Sequence, residues 1–393
     1  MTIQSVLRRK VDVLLKAIAL NKMCVSPKMI LLVIKFAAMY LAIWPLDSSG
    51  KHWNTAFDCL WWFYVVNNVL VIIPTLLAFY SSRRDIIAAM FSWLEILALL
   101  EALIILANFR YYRSRMQPIL KEAVDYIGSA NSRRQLCLEK RASIITTTFG
   151  VIVALYIAGI IIYIYRPAVT EWDGMLTTAY YPASMRSPFA DVFIYITQLT
   201  ALLHNGVLIV SDAFTVLLLY VCTVRLEVLQ KNILRVADYD ELKLWIREHE
   251  RVLRLVTDTN MVVRINISKT VISFVGYSVG AGLQIISPTV TIVSFQRFAL
   301  VIAMNAMRLF FSATFADDLV NSSNSLINTI YSTIWYKDNR DMKIGKIIIM
   351  LRCQKLLRIS VGGIMPVLGK PYLTKILYTS VSYFMTFRAI TGN

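Results

Sequence analysis

Residues 29–46 read MILLVIKFAAMYLAIWPL, and the assignment of this run decides the topology of the whole chain. It is short for a span, carries Lys35 at its middle and ends on Trp44-Pro45-Leu46-Asp47. A helix needs about 20 apolar residues to cross the hydrocarbon core, and a charge at its centre is costly. The run is therefore expected to be an interfacial or re-entrant helix, with Trp44 at headgroup level. Outward from it, apolar runs of spanning length recur at 57–80, 86–109, 143–165, 191–222, 266–293, 298–320 and 371–390.

Positive charge between the runs sets their orientation, because cytoplasmic loops are rich in Lys and Arg. Eight basic residues (Arg110, Arg113, Arg115, Lys121, Arg133, Arg134, Lys140, Arg141) follow the run 86–109, whereas 166–190 holds only Arg166 and Arg186. Segment 223–264 is rich again, with Arg225, Lys231, Arg235, Lys243, Arg247, Arg251, Arg254 and Arg264. Arg297 stands alone in 294–297, and Lys337, Arg340, Lys343 and Lys346 fill 321–346. The N-terminal segment carries Arg8, Arg9, Lys10, Lys16, Lys22 and Lys28, and it shares the side of the rich loops only if 29–46 does not cross. Seven spans remain, six within 57–320 and one at 371–390. The expected fold is an all-α integral membrane protein with its N-terminus cytoplasmic and its C-terminus extracellular. That orientation opposes the one used by G-protein-coupled receptors, and neither a DRY-like triplet nor an NPxxY is present.

Composition agrees. The chain has 393 residues, 57% of them hydrophobic, and a mean hydropathy of +0.59, an apolar excess that a soluble core does not require. A net charge of +17 could suggest nucleic acid, but the basic residues sit between apolar runs, so the charge reports topology and no nucleic-acid partner is expected. Met1 to Lys22 is polar and basic without a small-residue cleavage site, which is expected to leave the N-terminus in the cytosol. Cys24, Cys59, Cys137, Cys222 and Cys353 fall at or near the cytoplasmic side on this topology, so no disulfide is expected. The sequons at Asn266 and Asn321 lie at cytoplasmic helix ends and are expected to stay unglycosylated.

Segments 223–264 and 321–366 are expected to form cytoplasmic anchor helices. Leu226, Leu229, Ile233 and Val236, then Leu242, Trp245, His249, Val252 and Val256, recur every three to four residues, the spacing of one helix face. Asp240 and Glu241 suit the start of the second stretch, and a further apolar-periodic stretch runs from Ile347 to Leu357. No internal repeat is visible, so 1–393 reads as a single membrane domain.

Enzyme signatures such as HExxH, GxSxG, a Walker loop or CxxC are missing, and neither an enzyme nor a metal or cofactor is expected. Glu248-His249-Glu250 sits among arginines and reads as an ion-paired helix face. Polar residues inside the spans carry more weight, because they face protein or water: Asn67, Asn68, Glu95, Glu101, His204, Asn205, Asp212, Gln284 and Asn305. Either a ligand cavity or interhelical hydrogen bonding accounts for His204-Asn205-Gly206, and Glu95 and Glu101 are expected to pair across the bundle. Aromatic and Met side chains crowd the expected outer halves, as do Tyr163, Tyr180, Tyr181 and Phe298. A small apolar ligand needs such a wall with few polar groups, and the positions chosen for it are Phe91, Trp93, Tyr156, Ile160, Tyr195, Leu199, His204, Tyr277, Gln284 and Met304.

The C-terminal third is more specific. Asn328-Thr329-Ile330-Tyr331-Ser332-Thr333-Ile334-Trp335, Met350-Leu351-Arg352-Cys353-Gln354-Lys355 and Tyr378-Thr379-Ser380-Val381-Ser382-Tyr383-Phe384-Met385 resemble the last third of insect odorant receptors, and Trp44-Pro45 is similar to their pre-span motif. The resemblance implies a tetrameric, odorant-gated, nonselective cation channel in the plasma membrane of olfactory sensory neurons. There a subunit tuned to a small volatile organic ligand assembles with a shared coreceptor. It further implies a ligand pocket near the outer leaflet, subunit contacts through the cytoplasmic platform, and a final helix lining the pore, here through Ser382, Tyr383, Thr386, Ala389 and Ile390. The coreceptor's long insertion in the second cytoplasmic loop is missing, and Thr386-Phe387-Arg388-Ala389-Ile390 replaces its apolar ending, which favours a tuning subunit. A gustatory-type channel shares the fold, but its Thr-Tyr…Gln-Phe signature is missing. A transporter would be expected to show inverted repeats, and none is seen.

Overall fold

The structure, a computed structural model, describes residues 26–46, 51–84, 86–129, 132–169, 175–286, 292–360 and 367–391. Eleven α-helices follow one another among them: α1 (Pro27–Tyr40), α2 (Lys51–Ser81), α3 (Ile86–Tyr111), α4 (Arg113–Gly128), α5 (Ser132–Val169) and α6 (Pro188–His204). Then come α7 (Val207–Ile233), α8 (Tyr239–Ile286), α9 (Ile292–Ser332), α10 (Arg340–Cys353) and α11 (Lys370–Thr391). No strand occurs among the described residues. By length and composition, five stretches among the described residues are apolar enough to cross a membrane: 54–81, 89–111, 137–165, 188–233 and 298–332. The two further segments counted as spans are more polar. Asn266, Ser268, Lys269 and Thr270 lie in the second half of α8, and α11 is rich in Thr, Ser and Tyr.

Helix α7 is the axis of the bundle. Its sequence, VLIVSDAFTVLLLYVC at the start, is apolar on every side, as a helix enclosed by others must be. It packs against α9, α8, α5, α1 and α3. The outer helices show the complement, for Trp62, Val66 and Ile73 on α2, Ile157 and Ile161 on α5, and Val192, Phe193 and Ile196 on α6 are exposed. Short helix α1 likewise exposes Met29, Leu32, Val33 and Phe36 while its inner face meets α7. Lys35 bends back over the Trp44 ring, 5.8 Å from its centroid, the posture of a cation drawn toward an interface.

One expected span is broken. The run 191–222 divides into α6 and α7 at Asn205-Gly206, where the Gly206 N–H bonds the Leu203 carbonyl at 3.2 Å and the helical ladder restarts. Such a break is tolerated inside a bundle when a side chain satisfies the freed carbonyls, and Tyr156 does so here. Its hydroxyl donates to Leu202 O at 2.7 Å and Leu203 O at 3.0 Å.

Beneath the break, four charges meet in the protein's interior. Arg308 on α9 donates to Glu101 of α3 and Asp212 of α7, both at 2.6 Å, and Lys269 of α8 donates to Glu101 at 2.8 Å. Asp212 lies 3.7 Å from Lys269. The side chains are 0–4% exposed, and two positive charges balance two negative ones. The expected cross-bundle pairing of Glu101 is thus present, through basic partners that the sequence reading did not single out. Glu95 makes its own bonds elsewhere.

Below the cluster α7 continues, turns at residues 234–238 and returns as the first half of α8. Asp238 Oδ1 accepts from the Glu241 N–H at 2.7 Å and Glu241 Oε2 from the Ala237 N–H at 2.8 Å, a reciprocal cap that starts α8. Leu226, Leu229, Ile233, Leu242, Trp245, His249, Val252 and Val256 are buried together, on the face that the periodicity marks. Trp245 donates to Leu229 O at 2.9 Å, stacks on His249, and His249 Nε2 lies 3.6 Å from Cys353 Sγ of α10. At the far end of α8, Gly282 leaves room for Phe384 of α11, whose ring stands 2.7 Å from where a Cβ would be.

Removing Arg308 alone leaves two buried carboxylates to share the single Lys269 ammonium, one negative charge uncompensated, so Arg308→Met is expected to cost about 3–5 kcal/mol, read as loss of the folded chain in thermal unfolding. Adding Asp212→Asn to it leaves the balanced Lys269–Glu101 pair and should recover much of that loss. Burial, helped by the nearby Arg352, pushes His249 down to about 4, so the unfolded chain takes up its proton first, near pH 6.5. Stability is then full above pH 6.5 and falls by about 3 kcal/mol as the pH drops to 4. His249→Leu should flatten that part of a melting-temperature profile against pH.

Candidate functional site

A cavity of about 130 Å³ lies where α3, α5, α6, α7, α8 and α9 converge. Its wall is built from short helical rows: Leu94, Ala98 and Leu99 on α3; Tyr156, Gly159, Ile160 and Tyr163 on α5; Gln198, Ala201 and Leu202 on α6; Phe298, Val301, Met304 and Asn305 on α9. Each row follows the three-and-four spacing of one helix face. Small residues at Ala98, Gly159 and Ala201 leave the space, and the aromatic and branched ones close it.

Several polar groups in the wall are engaged in holding it, whereas the Thr177 hydroxyl and the Asn205 side-chain oxygen are buried without a partner among the described residues. Gln198, fully buried, accepts through Oε1 from the N–H groups of Leu176 at 2.9 Å and Thr177 at 3.3 Å. Glu95 accepts from the Thr178 N–H and hydroxyl, both at 2.8 Å. Residues 175–178, all buried, are thereby tied down as a cap beside the cavity, and the Tyr180 N–H bonds Pro74 O at 3.0 Å on α2. Asn305 donates to Val301 O and accepts from Arg308, both at 2.9 Å, so one side chain belongs both to the cavity wall and to the shell of the charge cluster. What faces the void is chiefly apolar surface, suited to a small molecule held by desolvation and dispersion. An apolar cavity of about 150 Å³ holds benzene, which sets the scale of the occupant. Among the described residues, no group of three His, Cys, Asp or Glu side chains is placed to hold a metal.

Tyr156, Ile160, Tyr277 and Met304, chosen from sequence, all reach this wall. Phe91 stands one layer behind it, its ring 5.0 Å from Phe298. Four others are placed elsewhere. Trp93 leans on Phe79 with its ring partly exposed, because it sits about 100° around α3 from Leu94. Tyr195 and Leu199 are half-buried on α6, which presents Gln198, Ala201 and Leu202 to the void instead. His204 is stacked on Tyr64 at 4.0 Å, and its Nδ1 takes a hydrogen bond from Asn68 at 3.1 Å, so interhelical bonding is its role and Asn205 is the neighbour that lines the cavity. Gln284 lies in α8 outside the residues whose side chains are described. Gln198 and Thr177 were not foreseen. Gln198 is an amide in an apolar stretch, a signal that was in the sequence, but Thr177 belongs to a loop whose inward fold has no periodic trace.

Ser382, Tyr383, Thr386 and Ala389 lie exposed along α11, while Leu373, Ile376 and Ser380 are buried and the helix packs on α8 and α9. Ile390 is on the same helix, with its side chain outside the described set.

Comparison with known proteins places this architecture. The family model described as 7tm Odorant receptor matches residues 84–368. No curated protein matches the chain. Among solved structures, the insect olfactory receptor OR5 from Machilis hrabei in complex with eugenol superposes with a TM-score of 0.80 at 13% sequence identity, covering 93% of this chain and 97% of that one. A second structure of that receptor gives 0.78 at 13% identity, over 92% and 96%. At such identity the likeness is one of fold.

Tyr156→Phe deprives the Leu202 carbonyl at the α6–α7 break of its donor and is expected to cost about 1–3 kcal/mol in thermal unfolding. Gln198→Leu should release the 175–178 cap, seen as faster amide exchange at Leu176 and Thr177 with the α7 core still protected.

Proposed function

This chain belongs to the 7tm Odorant receptor family, and on that footing we propose that it is the ligand-tuned subunit of an odorant-gated, nonselective cation channel. The observation that carries the reading is the apolar cavity between the helices of a receptor fold, with Tyr156, Gln198, Glu95 and Asn305 engaged in holding its wall. A small volatile organic molecule fits such a space, and eugenol, bound by the OR5 receptor, is a molecule of that class.

The topology proposed is the one that the charges dictate, with seven spans, the N-terminus and the platform of α7, α8 and α10 in the cytosol, and the C-terminus outside. In a tetramer with coreceptor subunits, α11 would turn Ser382, Tyr383, Thr386, Ala389 and Ile390 toward the central pore, a placement favoured by the exposure of the first four in the single subunit. Gating then requires a ligand that binds the open arrangement more tightly than the closed one. The α8 and α9 helices are suited to carry that preference, since both line the cavity, both hold the charge cluster and both touch α11.

The test is whole-cell recording from cells expressing the chain with and without an insect coreceptor, G-protein signalling blocked, during a panel of volatiles. A rapid cation current that needs both chains is expected, and Ala98→Phe, which fills the cavity, should raise the effective ligand concentration at least about tenfold at unchanged surface expression. No current from a surface-expressed pair across the panel, or a response untouched by Ala98→Phe, would count against it.

A further inference from the structure

A second and larger cleft, of about 800 Å³, opens between α4 and the first half of α8. Its edge carries three guanidinium groups, Arg115 on α4 and Arg251 and Arg254 on α8, over a floor that includes Ile119, Leu255 and Met261. None of the three is held firmly. Arg115 meets only the Met261 thioether, at 3.4 Å, which is a weak acceptor. Arg251 and Arg254 pair with Glu248 at 2.6 Å and Glu250 at 3.7 Å on their own exposed helix face, where solvent makes such contacts weak. Among the residues that line the cleft, the three arginines outnumber the two carboxylates, Glu122 and Asp258, and Glu122 is shared with Arg225.

Depth adds to the chemistry. Arg264, one turn beyond Met261, reaches the Tyr112 hydroxyl at 3.4 Å where α3 gives way to α4, and the apolar half of α8 begins there. On the proposed topology, on which this inference rests, the cleft starts at the inner headgroup level and extends toward the cytosol. Arg254 and Arg251 stand about 15–20 Å below Arg264 along the helix, beneath the headgroup layer proper, where a headgroup carrying phosphates away from the bilayer plane could meet them. Guanidinium forks match phosphate oxygens two at a time, and the cytoplasmic leaflet supplies anionic lipid.

We infer that this cleft binds a phosphorylated inositol, carried by a membrane lipid or free in the cytosol. The test uses the full chain in phosphatidylcholine nanodiscs, titrated with a fluorescent short-chain phosphatidylinositol bisphosphate and, separately, with soluble inositol trisphosphate. Saturable binding is expected, weakened about tenfold or more by R115Q/R254Q, weakened less by R254K, which keeps the charge and loses the fork, and unaffected by R235Q, a change in the turn after α7. Binding of the lipid but not of the trisphosphate assigns the site to the membrane, whereas equal binding of both, with the same sensitivity, assigns it to the soluble anion. No saturable binding, or equal loss in R115Q/R254Q and R235Q, overturns the inference. Unchanged thermal unfolding of R115Q/R254Q guards against misfolding. Because the readout needs neither odorant nor current, a chain that binds phosphate yet gives no odorant response fails only the channel reading.

Discussion

The bundle depends on the balance among Glu101, Asp212, Lys269 and Arg308. Four helices meet there, and each contributes one charge, so no helix can slide or rotate by a residue without exposing a charge to apolar surroundings. Apolar contact in a membrane protein cannot enforce this by itself, because lipid chains solvate a leucine about as well as another leucine does. An intramembrane ion cluster is costly to assemble and costlier to break. That asymmetry makes it a register device: packing brings the helices together, and the charges select one arrangement.

The cavity exists on the terms that this register sets. Asn305 joins the two, one face in the cavity wall and one oxygen on Arg308. A second support comes from above, where Gln198 and Glu95 pin a loop that would otherwise expose its backbone N–H groups to an apolar space. A third is the Tyr156 hydroxyl at the α6–α7 break. Structure and site are therefore held by the same small set of polar contacts.

Much of the fold was legible in the sequence, because hydropathy and charge are read along the chain. The apolar runs became helices, Leu242 to Val256 formed a buried face, and the run at 29–46 became a short helix beside α7. Other features depend on contacts between distant residues. The break at Asn205-Gly206 falls inside a run of spanning length, and Tyr156 from another helix satisfies the Leu202 carbonyl there. Lys269 and Arg308 had no visible partners until the helices were rotated into place. The same limit governs the cavity: Tyr156, Ile160, Tyr277 and Met304 reach its wall, whereas Trp93 and Leu199 lie at similar depth but point elsewhere, since one residue turns a side chain by about 100°.

The segregation of duties in the cavity wall also has an evolutionary consequence. Leu94, Ala98, Gly159, Ile160, Val301 and Met304 shape the void without contributing side-chain hydrogen bonds, while Gln198, Glu95, Asn305 and the hydroxyl of Tyr156 keep it standing. Exchanges among the first group alter the size and outline of the space yet leave the scaffold's polar framework intact. On the proposed function, selection can retune what such a receptor detects by single exchanges in the first group while the hydrogen-bonded frame stays in place, so a duplicated gene can drift toward a new scent without dismantling its fold.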